Sequence, residues 1–286
     1  MSVNKADKNL LISVGIIIVI FVGGYASLVA YSGFSSPFSI VMSQSMQHDP
    51  HQSEIGCIDT GDIVIVQDPS KAEIQSYIDG TKSGYQSFGD YGSVIIYNRG
   101  GNQNPVIHRA IIWLEYNPEN DTWSAPSLQG YSGAWHYEYI DENGETVINN
   151  SDYNNIRGTL YFDDITVSLK DVSISLDGLE KKSGFLTMGD NPQTNTTFDQ
   201  ASSIIDHPIG YEDIRSVPVF EIPWLGTIKI LVNGGQNLED VPNSLPSLIM
   251  LFVTIFGFLM LIDATSLYRN KILLNDELRR IRQWKK

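Results

Sequence analysis

Cysteine is almost absent. The 286 residues include one, Cys57, so no disulfide can form within the chain and its domain must fold by burying an apolar core. Basic residues are also scarce, with 19 Lys and Arg against 33 Asp and Glu and a formal net charge of −14. The imbalance is concentrated in segment 32–243, which holds 10 of the basic and 29 of the acidic residues and so stands at −19. A surface of that sign lacks the basic footprint that nucleic acid requires, which excludes that class of partner. It suits an exposed, solvated domain. There is no internal repeat and no low-complexity tract, and helical spacing is weak in this segment apart from Lys71–Ile78.

What the chain does have is two long apolar runs. Leu10–Tyr31 carries no charge and is 22 residues long, enough to cross a hydrocarbon layer of about 30 Å as a helix. Leu245–Ile262, flanked by Pro246 and Asp263, is the second, extensible through Ala264–Tyr268. The expected spans are 10–31 and 244–264. Lys5 and Lys8 precede the first, and Arg269, Lys271, Arg279, Arg280, Arg282, Lys285 and Lys286 follow the second. The positive-inside bias then puts the N-terminus (1–9) and the basic tail (265–286) in the cytoplasm and segment 32–243 outside a cell membrane crossed twice. The first run exceeds the 7–15 apolar residues of a signal peptide, which favours an uncleaved anchor, although Ala26 and Ala30 resemble cleavage-site residues. The tail reads as a basic helix that enforces topology, with lipid headgroups and Trp284 at the interface as the other reading.

Between the spans the pattern is mainly β. Ile63–Val66, Val94–Tyr97 and Val106–Leu114 are β-branched runs bounded by turn residues, as buried strands are. Thr159–Phe162, Thr166–Leu169, Phe185–Met188 and Ile228–Val232 are further strand candidates. Residues 115–182 are polar and rich in Asn, Asp, Gly, Trp and Tyr, and read as an inserted subdomain. Its Trp123, Tyr131, Trp135, Tyr137 and Tyr139 read as a small aromatic core rather than a ligand shelf. Asn120, Asn149 and Asn195 begin glycosylation sequons, usable only if they face outward.

Serine-mediated hydrolysis needs a hydroxyl, a base, a group to orient the base, and donors for the oxyanion. Met42-Ser43-Gln44-Ser45-Met46 places Ser45 about 14 residues past the first span, close to the bilayer at a maximum of about 3.3–3.6 Å per residue. His108 lies in the apolar run Val106–Ile112, where an imidazole is either a base or a buried neutral side chain. Gly189-Asp190-Asn191 with Asp199 offers two carboxylates for orientation. His48, Asp49 and His51 form a weak metal set, better read as solvated side chains. Cys57 has no base near it in sequence and reads as a small buried apolar residue.

In order and spacing these runs resemble the type I signal peptidases. Ser45-Met46, Thr60–Val66, Gly92–Tyr97 with Val106–Ile112, Gly189–Asn191 with Asp199, and Ile222–Gly226 follow one another as that family's motifs do. His108 stands where bacterial members have Lys, so the resemblance is to the archaeal and endoplasmic-reticulum branch. Two features depart from the family pattern: Pro50 is displaced after Met46, and the gap from Asp190 to Asp199 is long. The resemblance implies a signal-peptidase-type antiparallel β catalytic domain tethered by two transmembrane helices. It implies a serine endopeptidase, a hydrolase that needs no cofactor and no metal. Its partners would be signal peptides of secretory preproteins, the lipid bilayer and the protein-export translocon. Ser45 is the implied nucleophile, His108 the general base and Asp199 its orienting group. Asp190 braces the loop, with the reversed assignment of the two Asp residues open, and Ser43 supports the oxyanion. The rival readings are a non-catalytic surface module on the same fold and a same-fold peptidase with another membrane-tethered substrate.

Overall fold

A computed structural model describes residues 5–101, 103–166, 168–232 and 243–284, with side chains from 11 to 272. Residues 1–4, Lys285 and Lys286 therefore lie outside the described residues, as do the side chains of Lys5, Lys8, Arg279, Arg280, Arg282 and Trp284.

The chain opens with helix α1 (Lys5–Ser32) and a short strand β1 (Phe38–Ile40). Strand β2 (Ile63–Gln67) is followed by helix α2 (Tyr77–Ser83), the small hairpin β3 (Gln86–Ser87) and β4 (Asp90–Tyr91), and strand β5 (Val94–Tyr97). The long β6 (Val106–Asn117) leads to β7 (Thr122–Ser124), β8 (Trp135–Ile140), β9 (Thr146–Asn149), β10 (Thr159–Ile165) and β11 (Lys170–Ser175). Strands β12 (Gly184–Met188) and β13 (Ile214–Ile222), helix α3 (Gly226–Val232) and helix α4 (Ser244–Trp284) complete it. The fold is mainly β and antiparallel. The main sheet runs β1-β2-β13-β5-β6-β12 with β7 on β6, curled as a half-barrel, and a second sheet runs β11-β10-β8-β9.

The second sheet has no core of its own. Tyr137, Leu160, Phe162, Val172 and Ile174 from it pack into one buried cluster with Ile111, Ile112, Leu114, Leu186 and Met188 of the main sheet. Trp123 and Tyr137 are fully engaged in that cluster, and Tyr131, Trp135 and Tyr139 lie partly buried against it, so the aromatic residues are core.

Three local expectations are corrected. Lys71–Ile78 is not a helix; the helix is α2, started by the Ser76 hydroxyl accepting from the Asp79 amide at 3.1 Å and ended by Gly84 at φ 80°. Within the expected strand Thr166–Leu169, Thr166 (φ 64°) and Leu169 (φ 47°) turn the chain, and the strand begins at Lys170. Ile228–Val232 belongs to a helix. Short apolar runs fit either state, and here the Thr227 amide bonds to the Gly61 carbonyl at 2.9 Å and docks the segment end-on.

Two helices, Leu11–Ser32 and Ser244–Ile272, are long and apolar enough to cross a membrane. The first is bolted to the sheet at its end: the Ser32 hydroxyl donates to the Val66 carbonyl at 2.6 Å, and the Lys71 ammonium donates to the Ala30 carbonyl at 2.9 Å.

Candidate active site

Met46 fixes the loop that carries Ser45. Its side chain is 1% exposed, inserted among Val41, Ile58, Val64 and Val94. Burial of an apolar side chain next to a hydroxyl-bearing residue anchors the loop that carries it. A second loop clamps the first. The Asn191 amide donates to the Ser45 carbonyl at 3.0 Å, and its side-chain amide donates to the Gln44 carbonyl at 2.7 Å. Gly189 permits this approach, since a Cβ there would stand 2.4 Å from the Ser45 carbonyl oxygen. Ser43 Oγ lies 3.2 Å from Ser45 Oγ.

Strand periodicity separates the next two residues. Successive side chains on β6 point to opposite faces, so His108 and Arg109 turn opposite ways, and each has its own carboxylate. His108 Nδ1 lies 2.8 Å from both oxygens of Asp199. Asp199 is fully buried and also accepts from the Tyr97 hydroxyl at 2.7 Å and the Thr187 hydroxyl at 2.6 Å. Burial, and then Asp199, push the Tyr97 phenol far above its ordinary range, so it stays a donor. A bulge between Leu186 and Thr187, opposite β6, sits beside Thr187; bulges re-aim side chains in this way.

Asp190 faces Arg109 instead. Arg109 Nε donates to it at 2.9 Å, and neither side chain is exposed. The guanidinium also reaches the carbonyls of Ser87, Tyr91 and Gly92, tying the β3–β4 hairpin to the strand. Burial works against the Asp190 charge, but Arg109 and His48 outweigh it and hold the carboxyl well below its usual range.

Sequence reasoning missed two members of this neighbourhood. Lys170, from β11, donates to the carbonyls of Gly189 (2.9 Å), Asn191 (3.2 Å) and Asp190 (3.3 Å). Burial brings its pKa down to about 8 against the pull of nearby carboxylates. His48 is the other, and it corrects the expectation of a solvated side chain. It is nearly buried, with Nε2 3.1 Å from Asp190 and Nδ1 3.3 Å from Cys57 Sγ, so Cys57 does have an imidazole beside it. Burial disfavours the His48 charge, yet Asp190 and Cys57 outweigh it and raise its pKa to about 10. His51 is exposed and takes no part, and Asp49 caps a turn by accepting from the His51 and Gln52 amides. Of the sequons, Asn120 is exposed, whereas Asn195 is packed against Gly189 and is 9% exposed, so it does not face outward.

Ser43, Ser45 and His108 border one cleft of about 1200 Å³, with Ile40, Val66 and Ile96 among its apolar walls. The cleft opens along β1, the end strand of the main sheet. Comparison with protein-family models and with curated proteins gives no match for this chain.

Proposed function

We propose that this chain is a membrane-bound serine endopeptidase that removes N-terminal signal peptides from exported preproteins. The observation that carries the reading is the shared cleft: Ser45 and His108 border it, and His108 is held from its buried side by Asp199. Nδ1–H to Asp199 leaves Nε2 as the nitrogen that takes the Ser45 proton during attack on the scissile carbonyl and returns it to the leaving amine. The buried carboxylate fixes the tautomer and stabilises the imidazolium. The Ser45 amide, with the Ser43 hydroxyl, is the proposed oxyanion donor set. The chemistry draws on these groups alone.

The substrate follows from the cleft's edge and its surroundings. An extended peptide adds to the free side of an end strand through main-chain hydrogen bonds, and β1 offers such a side. Phe38 and Phe220 lie opposite Ile65 from either side in the sheet register, so the three form one row on one face. Phe38 is 41% and Phe220 61% exposed. Exposed apolar side chains in a chain that also carries two span-length helices suit contact with a bilayer surface. The proposed topology has both termini cytoplasmic and the peptidase domain outside, near the translocon that delivers preproteins.

The test is cleavage of a preprotein in detergent or proteoliposomes by wild-type protein and Ser45→Ala side by side. The reading expects a single cut after the signal peptide by the wild type and none by the variant. Equal processing by both, or none by either, overturns it.

A further inference from the structure

Next to the loop that carries Ser45, and outside the lining of the cleft, three side chains converge. His48 Nδ1 is 3.3 Å from Cys57 Sγ, and Cys57 Sγ is 3.7 Å from Glu54 Oε2. One donor atom from each residue lies within 4.8 Å of the other two. We propose that His48, Cys57 and Glu54 are three protein ligands of a zinc-like divalent cation.

The dimensions fit. A tetrahedral zinc with Zn–S of about 2.3 Å and Zn–N or Zn–O of about 2.0–2.1 Å places its ligand atoms about 3.5 Å apart. The 3.3 and 3.7 Å edges bracket that value, and the third pair of ligand atoms lies within 4.8 Å. The donor chemistry is selective too, since thiolate plus imidazole suits zinc over magnesium or calcium. His48 also has the outer partner that metal-binding imidazoles have. Its Nε2 faces Asp190 at 3.1 Å, which fixes the tautomer and leaves Nδ1 for the cation. Asp190 is itself held by Arg109, so the outer carboxylate is rigid.

Space and access are provided as well. Gly89, at φ 80°, covers the site; a Cβ there would stand 2.8 Å from Cys57 Sγ and 2.8 Å from the His48 ring. Cys57 is buried while Glu54 is exposed, so the cation has an entry side, and a fourth position remains for water. A cation there ties segment 54–57 to His48, three residues beyond Ser45, and through Asp190 to the loop that clamps Ser45. It acts as a clasp on the loop that carries Ser45 and touches no substrate.

The experiment uses the full-length protein in detergent, reduced and stripped with a chelator, then titrated with zinc or cobalt. The expected result is one cation per chain, a near-ultraviolet thiolate-to-cobalt charge-transfer band, and a thermal midpoint that rises with zinc. Cys57→Ser should remove the band and the zinc-dependent rise. Glu54→Gln changes only an exposed side chain, so it folds; it should keep the band and bind cobalt at least about 10-fold more weakly. No band in folded wild type, equal cobalt affinity in Cys57→Ser, or undiminished affinity in Glu54→Gln overturns the site. None of these readouts depends on peptidase activity, so the cation site and the peptidase reading fail separately.

Discussion

His108 Nδ1 sits 2.8 Å from both carboxylate oxygens of Asp199, and the two side chains are 3% and 0% exposed. One residue further along β6, Arg109 pairs with Asp190 on the opposite face. The two carboxylates of one loop region are thus divided between imidazole and guanidinium, and their substitutions should have different consequences. Asp199→Asn removes the negative partner of the imidazolium and presents the wrong group to Nδ1; turnover is expected to fall on the order of 10⁴-fold. Asp190→Asn leaves the buried Arg109 charge uncompensated, and a loss of about 3–5 kcal/mol in stability is expected. Turnover and denaturant midpoint measured for both variants in one detergent check the division. Wild-type turnover by Asp199→Asn would show that His108 is oriented by something else.

Lys170 connects the second sheet to the site. Its ammonium spans three carbonyls of the loop that clamps Ser45. Lys170→Met keeps the length of the side chain and leaves those carbonyls without their donor. The expected cost is about 1–3 kcal/mol in stability, with kcat reduced more than KM is raised, because the loop positions Ser45, the proposed nucleophile. Kinetics that change only in KM would place Lys170 in substrate binding instead.

Gly189 is required by distance. A Cβ there would lie 2.4 Å from the Ser45 carbonyl and 2.6 Å from Asn195 Cγ. Gly189→Ala must therefore push one loop away from the other, breaking the Asn191-to-Ser45 hydrogen bond. Proton exchange at the Asn191 amide should accelerate in the variant and cleavage should slow by at least about 10-fold, the effect of misplacing a reacting group by a fraction of an ångström. Unchanged exchange at that amide is the contrary outcome.

The pH dependence of stability has an identifiable source. Burial pushes the carboxyls of Asp62 and Glu221 up to about 7, against the backbone amides that bond to them, with the neighbouring Asp59 charge adding to the rise in both. Unfolded, both titrate near about 4. The folded protein therefore keeps protons that the unfolded chain has released. Their contribution is full below about pH 4 and declines as the pH rises to about 7. A thermal midpoint that falls between pH 4.5 and 7.5, and falls less steeply in Glu221→Gln, is the expected behaviour. A variant with the wild-type slope would locate the pH dependence elsewhere.

Much of the frame was legible before any coordinates. Uncharged runs long enough to cross a membrane form helices, and β-branched runs such as Ile63–Val66 and Val94–Tyr97 between turn residues form strands, because one local pattern constrains each residue of the run in the same way. The same local pattern failed at Ile228–Val232, where a docking contact with Gly61 chose helix over strand. It failed at Thr166–Leu169, where left-handed backbone made a turn.

The chemistry-bearing residue types at Ser45, His108, Asp190 and Asp199 were set by the sequence itself, as was the tether that keeps Ser45 near the first apolar helix. Which carboxylate meets which base was decided by the pleat of β6, a long-range consequence of sheet register. The pairing of His48 with Cys57, nine residues apart, and with Asp190, 142 residues away, was decided only when two loops closed on one another. Local sequence fixes what each segment can become; the contacts between segments form through the shared burial of surfaces that no single segment contains.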